Sequence, residues 1–190
     1  MLYRSVAPVE APITLAEAKM HLRVDSSDED DYITALIAAA VSLLDGQGDL
    51  GRAMVTQTWQ QWVGPSPASV RLLMGPFIAL TAVDYYDTDS VLQSATLTDF
   101  EARLDGDFVR IHSKTGFSWP STASRNDAIR LTFTAGYGAA SAVPDGLKHA
   151  IKLIVGHWYA NREAASEVNL KDIPIAVDAI VGNERVQWYG

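Results

Sequence analysis

The feature that most constrains this chain is a double change of hydrophobic period. Ile33, Leu36, Ile37, Ala40, Val41 and Leu44 recur at helical spacing, which places them on one face of a helix over about 28 to 45. From Met54 to Thr134 that period is lost. Short runs of β-branched and aromatic residues take its place, separated by clusters of Gly, Pro, Asp and Ser, the pattern of a β-rich region. Leu147, Ala150, Ile151, Ile154, Val155, Trp158 and Tyr159 then restore the helical stripe. The expected fold is α+β: N-terminal helices and a long C-terminal helix form a helical scaffold, with an antiparallel β-rich insertion between them. Strands and helices do not alternate, which argues against a doubly wound nucleotide-binding sheet.

Local signals set the boundaries. Pro8 and Pro12 keep the first dozen residues extended, and Thr14-Leu15-Ala16-Glu17 is a capping-box pattern that opens a short helix over about 15 to 22. Ser27 is placed to cap the second helix, whose first turn is acidic, and Gly46 and Gly48 end it. Strands are expected near 54 to 63, 69 to 73, 78 to 86, 100 to 104, 107 to 112 and 128 to 134, with Asp105-Gly106 as a tight turn and a long loop from Ser113 to Asp127. Pro144 suits the first turn of a third helix over about 144 to 163. One domain over about 1 to 163 follows, with helical parts near 14 to 46 and 144 to 163 and the β insertion near 54 to 134. The remainder, about 164 to 190, contains a short helix near 174 to 181 and reads as a separate docking segment.

Composition narrows the function. With 190 residues, 48% of them hydrophobic, the chain can bury one ordinary core. It contains no cysteine, so disulfides and thiol chemistry are excluded. No apolar run approaches the roughly 18 residues of a membrane span, and no secretory signal pattern opens the chain. The formal charge of -8 comes from 15 basic and 23 acidic residues, and the basic ones are scattered, so a sequence-reading nucleic-acid binder is disfavoured. There is no Gly-x-Ser-x-Gly and no phosphate-loop lysine after Gly136-Tyr137-Gly138. His149 and His157 are eight residues apart, more than about 10 Å by helix rise, too far to share a metal ion. The acidic run from Asp25 to Asp31 lacks the glycine and distal glutamate of a calcium loop. Scattered carboxylates such as Asp84, Asp87, Asp99 and Glu101 are the remaining handle for a small hydrolase. The reading is of a protein that is not an enzyme and takes no cofactor or metal.

Five tryptophans point to packing and docking instead. Trp158 lies on the helical stripe and belongs to the core, while Trp59 and Trp62 fall on opposite faces of a strand. The apolar pattern of the third helix closes at Tyr159, so the core is expected to be complete there and the rest dispensable for folding. Beyond it, Ile175 and Ile180 supply apolar surface, and Arg185, Trp188 and Tyr189 are residue types that anchor interfaces. These five are the candidate partner-binding residues.

Several segments carry a resemblance. Ile13-Thr14-Leu15-Ala16-Glu17-Ala18-Lys19-Met20-His21-Leu22-Arg23-Val24, the acidic start after it and Leu36-Ile37-Ala38-Ala39-Ala40 resemble the opening of the phage head-tail connector, or adaptor, family. The likeness continues at Thr56-Gln57-Thr58-Trp59, Gly75-Pro76-Phe77, Val83-Asp84-Tyr85-Tyr86-Asp87, Phe133-Thr134-Ala135-Gly136-Tyr137-Gly138, and from Val143-Pro144 to His157-Trp158-Tyr159-Ala160-Asn161-Arg162-Glu163. It implies a structural virion protein of the neck, made in the host cytoplasm. It further implies a cyclic ring of about a dozen copies on the portal protein, with neck or tail-completion proteins as further partners and double-stranded DNA passing through unbound. A tail-completion or head-closure component is the alternative of the same class. The glycine-rich Asp45-Gly46-Gln47-Gly48-Asp49 departs from the family pattern.

The isolated protein is expected to bind duplex DNA weakly, because few unopposed cations are available to neutralise phosphates. A submicromolar, strongly salt-dependent affinity in a titration would contradict a passive channel wall.

Overall fold

A computed structural model describes residues 1–65, 67–106, 108–162 and 175–185. The chain is mixed α and β, with four helices and antiparallel sheets among these residues. It divides into two compact units, Met1–Val9 with Thr56–Gly136, and Glu10–Val55 with Tyr137–Gly190.

The second unit is helical. Helix α1 (Leu15–Leu22) opens as its sequence predicts: Thr14 Oγ1 accepts from the Glu17 amide at 3.2 Å, and Glu17 Oε2 accepts from the Thr14 amide at 2.7 Å. Helix α2 (Asp30–Leu44) begins later than expected and Ser27 does not cap it. Ser26 instead takes the Asp28 amide into a local turn at 3.1 Å, and Glu29 occupies the cap position without a side-chain bond to its own helix. Helix α3 spans Asp145–Ala160 and α4 spans Ile175–Glu184.

The core of this unit joins Ile33, Ile37, Ala40 and Leu44 of α2 to Leu147, Ala150, Ile151, Ile154 and Val155 of α3, with Ala18 of α1 between them. Trp158 and Tyr159 are only partly buried at its margin. The core does not close at Tyr159, because Val177 and Val181 of α4 are buried in it as well. The expectation that the core is complete at the end of α3 is corrected by these two side chains. Their spacing of four residues puts them on one face of a turn, but the short run around them is too uniformly apolar for that face to be read from sequence.

The glycine-rich segment after α2 has a steric cause. The Asp49 and Leu50 amides bond back to the Leu43 and Leu44 carbonyls, and a Cβ on Gly48 would lie 2.3 Å from the Leu43 oxygen. Only glycine fits. The buried Asp45 carboxylate then accepts from the Met54 amide at 2.7 Å, and Leu50, Ala53, Met54 and Val55 are all buried. These contacts hold residues 54 to 56 out of the sheet, so the strand expected from 54 begins at Gln57.

The other unit holds two sheets. Strands β1 (Leu2–Val6), β2 (Gln57–Val63), β8 (Ile129–Ala135), β4 (Phe77–Tyr86) and β5 (Leu92–Ser94) form one in that order, and β3 (Val70–Arg71), β7 (Phe108–Ser113) and β6 (Phe100–Asp105) the other. Every pairing is antiparallel. On β8, Ile129, Leu131, Phe133 and Ala135 are buried and alternate with half-exposed Arg130, Thr132 and Thr134. Trp59 of β2 is buried opposite Phe133, and Trp62 lies on the other face, stacked on Tyr86 at 6.0 Å. Gln61 is buried because both ends of its amide are used: Nε2 donates to the Arg71 carbonyl at 2.8 Å and Oε1 accepts from the Leu73 amide at 2.9 Å. β6 ends at Asp105, which pairs with Phe108 across a tight hairpin where Gly106 has φ 62. Strands β1 and β5 were not foreseen.

Leu147→Ala should cost about 2–5 kcal/mol, the range for removing a fully buried leucine side chain. Gly48→Ala should also lower stability, since the backbone carbonyl of Leu43 must move. Denaturant unfolding of both variants checks these expectations.

Candidate docking site

The sequence singles out the C-terminal segment, and the structure locates part of it. Ile180 packs against the helical core, its Cγ2 3.5 Å from where a Cβ on Gly146 would stand. Arg185 Nε donates to the Asp49 carbonyl at 2.8 Å, and the Tyr137 hydroxyl donates to Glu184 at 3.3 Å. The end of α4 is thereby tied to the loop after α2 and to the residue that reopens the helical unit. Ile175 begins α4. Trp188 and Tyr189 lie outside the described residues.

A second cluster escaped sequence reading. Glu29, at the start of α2, accepts hydrogen bonds from the Tyr159 hydroxyl and from Arg162, the latter with N···O of 2.5 Å. The Arg162 guanidinium lies 4.4 Å from the Tyr159 ring centroid and 4.6 Å from that of Tyr32. The hydrogen bond from Tyr159, reinforced by Arg162, holds the Glu29 carboxyl below the usual carboxylate range, and the same bond pushes the Tyr159 phenol up. These residues are 130 positions apart, so nothing local announces the pair. The carboxylate that would cap α2 fastens the end of α3 instead.

His149 does not act with His157. Its ring meets that of His21 edge-on at 6.2 Å across α1 and α3, and burial is the main cause that pushes the His21 imidazole down, with His149 and Lys152 adding to it. Among the described residues no group of three or more His, Asp or Glu is placed to hold a metal ion. Three of the scattered carboxylates have structural partners: Asp84 takes Arg130 at 2.9 Å and Ser94 at 2.7 Å, Asp87 takes the amides of Asp89 and Val91 in a turn, and Glu101 takes Arg103. No described helix is long and apolar enough to cross a membrane.

The fold matches that of chains in gene transfer agent particles. A chain from the neck of an empty gene transfer agent particle computed with C6 symmetry superposes with a TM-score of 0.77 at 23% identity, covering 100% of this chain and 98% of that one. A chain from the virion of the native gene transfer agent particle matches with a TM-score of 0.77 at 22% identity over the same shares. A third, from the neck of the native particle computed with C12 symmetry, gives 0.68 at 21% over the same shares. No curated protein sequence matches. The family model described as head completion protein matches residues 12–170. The chain belongs to the head completion protein family and is a structural protein of the head-tail connector class.

The lowered Glu29 value fixes the sign of a pH effect. A carboxylate depressed in the fold stabilises above the unfolded carboxylate value, and that contribution disappears as pH falls through the folded value. Glu29→Gln should therefore lower the melting temperature at neutral pH, with the gap to the parent protein closing in acid. Thermal melts across pH 3 to 8 test this.

Proposed function

We propose that copies of this chain close into a ring of about a dozen on the portal, in the neck between head and tail. The ring lines the path of the DNA without gripping it and offers a platform to the next neck or tail-completion component. One observation carries this reading: membership of a head completion family coincides with a fold match over the whole chain to subunits of a particle neck. A closed ring needs two different surfaces on each copy, which join head to tail. In this reading the helical unit is the scaffold, with α1 and α2 from the N-terminal side and α3 as the long C-terminal helix, and the β unit is its insertion. The protein catalyses nothing.

The docking segment at 164 to 190 meets the portal through Ile175, Ile180, Arg185, Trp188 and Tyr189. Val177 and Val181 hold α4 to the core, so α4 is both part of the fold and the base of the docking segment. A head-closure or tail-completion role is the second reading, favoured by the wording of the family description. Co-purification with portal rather than with tail-tube protein separates the two.

With portal present, electron microscopy should show closed rings, and a strict two-fold dimer by mass measurement would overturn the reading. Trp188→Ala with Tyr189→Ala should leave the melting temperature near that of the parent while portal capture falls about tenfold or more, the loss of one anchor-sized contribution. Capture at the parent level would remove these residues from the interface.

A further inference from the structure

The register of the smaller sheet brings together three arginines that the sequence scatters. Arg71 of β3 stands directly opposite Arg110 of β7, and Arg110 stands directly opposite Arg103 of β6. Directly paired residues point to the same face, so the three guanidiniums form one row across all the strands of this sheet, about 10 Å from end to end. Like charges in facing positions destabilise a sheet. On the opposite face Val70, Val109 and Ile111 are buried, and on the arginine face only Phe108 is, under Arg71.

Part of the charge is met within the sheet. Glu101 pairs with Arg103, and Asp105 pairs with Arg110 at 2.6 Å. Arg71 has no carboxylate among the described residues: its guanidinium lies 3.6 Å from the Phe108 ring centroid, and its buried Nε has no acceptor. Two of the three arginines are thus paired within the sheet, and the row keeps one net positive charge, at the partly desolvated Arg71, among the described residues, on a protein of formal charge -8.

The complementary charge is on the same chain. Fifteen of the 23 acidic residues and eight of the 15 basic ones belong to the helical unit, so it carries nearly all of the net charge and the β unit is close to neutral. Before α2, Glu29 is engaged by Arg162 and Asp30 by Lys19 at 2.5 Å. Asp25, Asp28 and Asp31 are exposed and have no cation partner among the described residues.

We propose that the arginine row of one copy takes the Asp25, Asp28 and Asp31 carboxylates of the next copy, forming an electrostatic contact between neighbours in the ring. The proposal rests on the ring reading and assigns it two surfaces, one on each unit, which is the heterologous arrangement a cyclic assembly needs. A strip already holding two carboxylates suits a protein surface of a few acids better than a duplex, whose phosphates demand many unopposed cations. Guanidinium forks also match carboxylates in pairs.

The test uses the full-length chain and two variants, Arg71→Glu with Arg103→Glu, and Asp28→Arg with Asp31→Arg. Ring assembly is followed by mass photometry with portal present, and duplex DNA binding is measured beside it. Each variant alone should assemble at least about tenfold more weakly than the parent. An equimolar mixture of the two should recover, because alternating copies place opposite charges at every contact. Recovery by mixing requires folded proteins and contacts between copies, so neither misfolding nor a contact within one chain can mimic it. Parent-like assembly of either variant, or a mixture that fails while both variants melt like the parent, overturns the proposal. Loss of DNA binding in the arginine variant with assembly intact would overturn it in favour of phosphate. If the parent itself forms no ring on portal, the ring reading has failed, and that result is visible before any variant is made.

Discussion

The packing of α2 against α3 is the constraint from which the rest of the structure follows. Ile33, Ile37, Ala40 and Leu44 meet Leu147, Ala150, Ile151, Ile154 and Val155, yet all of the β unit except Met1–Val9 lies between them in sequence. Once these helices are in contact, the chain must leave and return at nearly the same place. The hydrogen bond from the Tyr137 amide to the Met54 carbonyl, at 2.8 Å, marks that place. Within the β unit the same requirement makes the strand of entry and the strand of return neighbours, and β2 pairs with β8 from Gln57 opposite Ala135 onward. The central pair of the larger sheet is in this sense dictated by a helical contact.

Polar groups sharpen this arrangement. Gln61 uses both ends of its amide to join β2 to the segment running from β3, and Asp45 satisfies the Met54 amide where the chain turns toward the sheet. Each is buried, so each would be costly if left unpaired and is specific when paired. Glu29 works at the margin, tying the start of α2 to the end of α3 through Tyr159 and Arg162. The helices are placed by apolar contact and oriented by these few bonds.

What was legible in the sequence was local. The capping box at Thr14, the apolar stripe of α3 and the alternation on β8 each depend on neighbours within a turn or a strand, and those elements stand close to where pattern and caps put them. β1 and β5 were missed for opposite reasons. β1 pairs with residues more than fifty positions away, while β5 has only three exposed residues and no periodicity to find. Ser27 lost the cap because a serine beside it made a local turn. The arginine row becomes visible only when register is known, since Arg71, Arg103 and Arg110 have no common spacing. Of the anchors read from composition, Ile180 and Arg185 turned out to be engaged with the helical unit itself.

The closing bond between Met54 and Tyr137 also bears on the order in which the chain can fold. Joining α2 to α3 through an unstructured connection of the intervening length would cost about 4 kcal/mol of closure entropy, since that cost grows as the logarithm of loop length. Pairing β2 with β8 removes most of it beforehand, because Gln57 and Ala135 are then already side by side. The inserted unit therefore behaves as a splint. Once β2 and β8 are paired, the segments that lead out of α2 and into α3 already lie side by side.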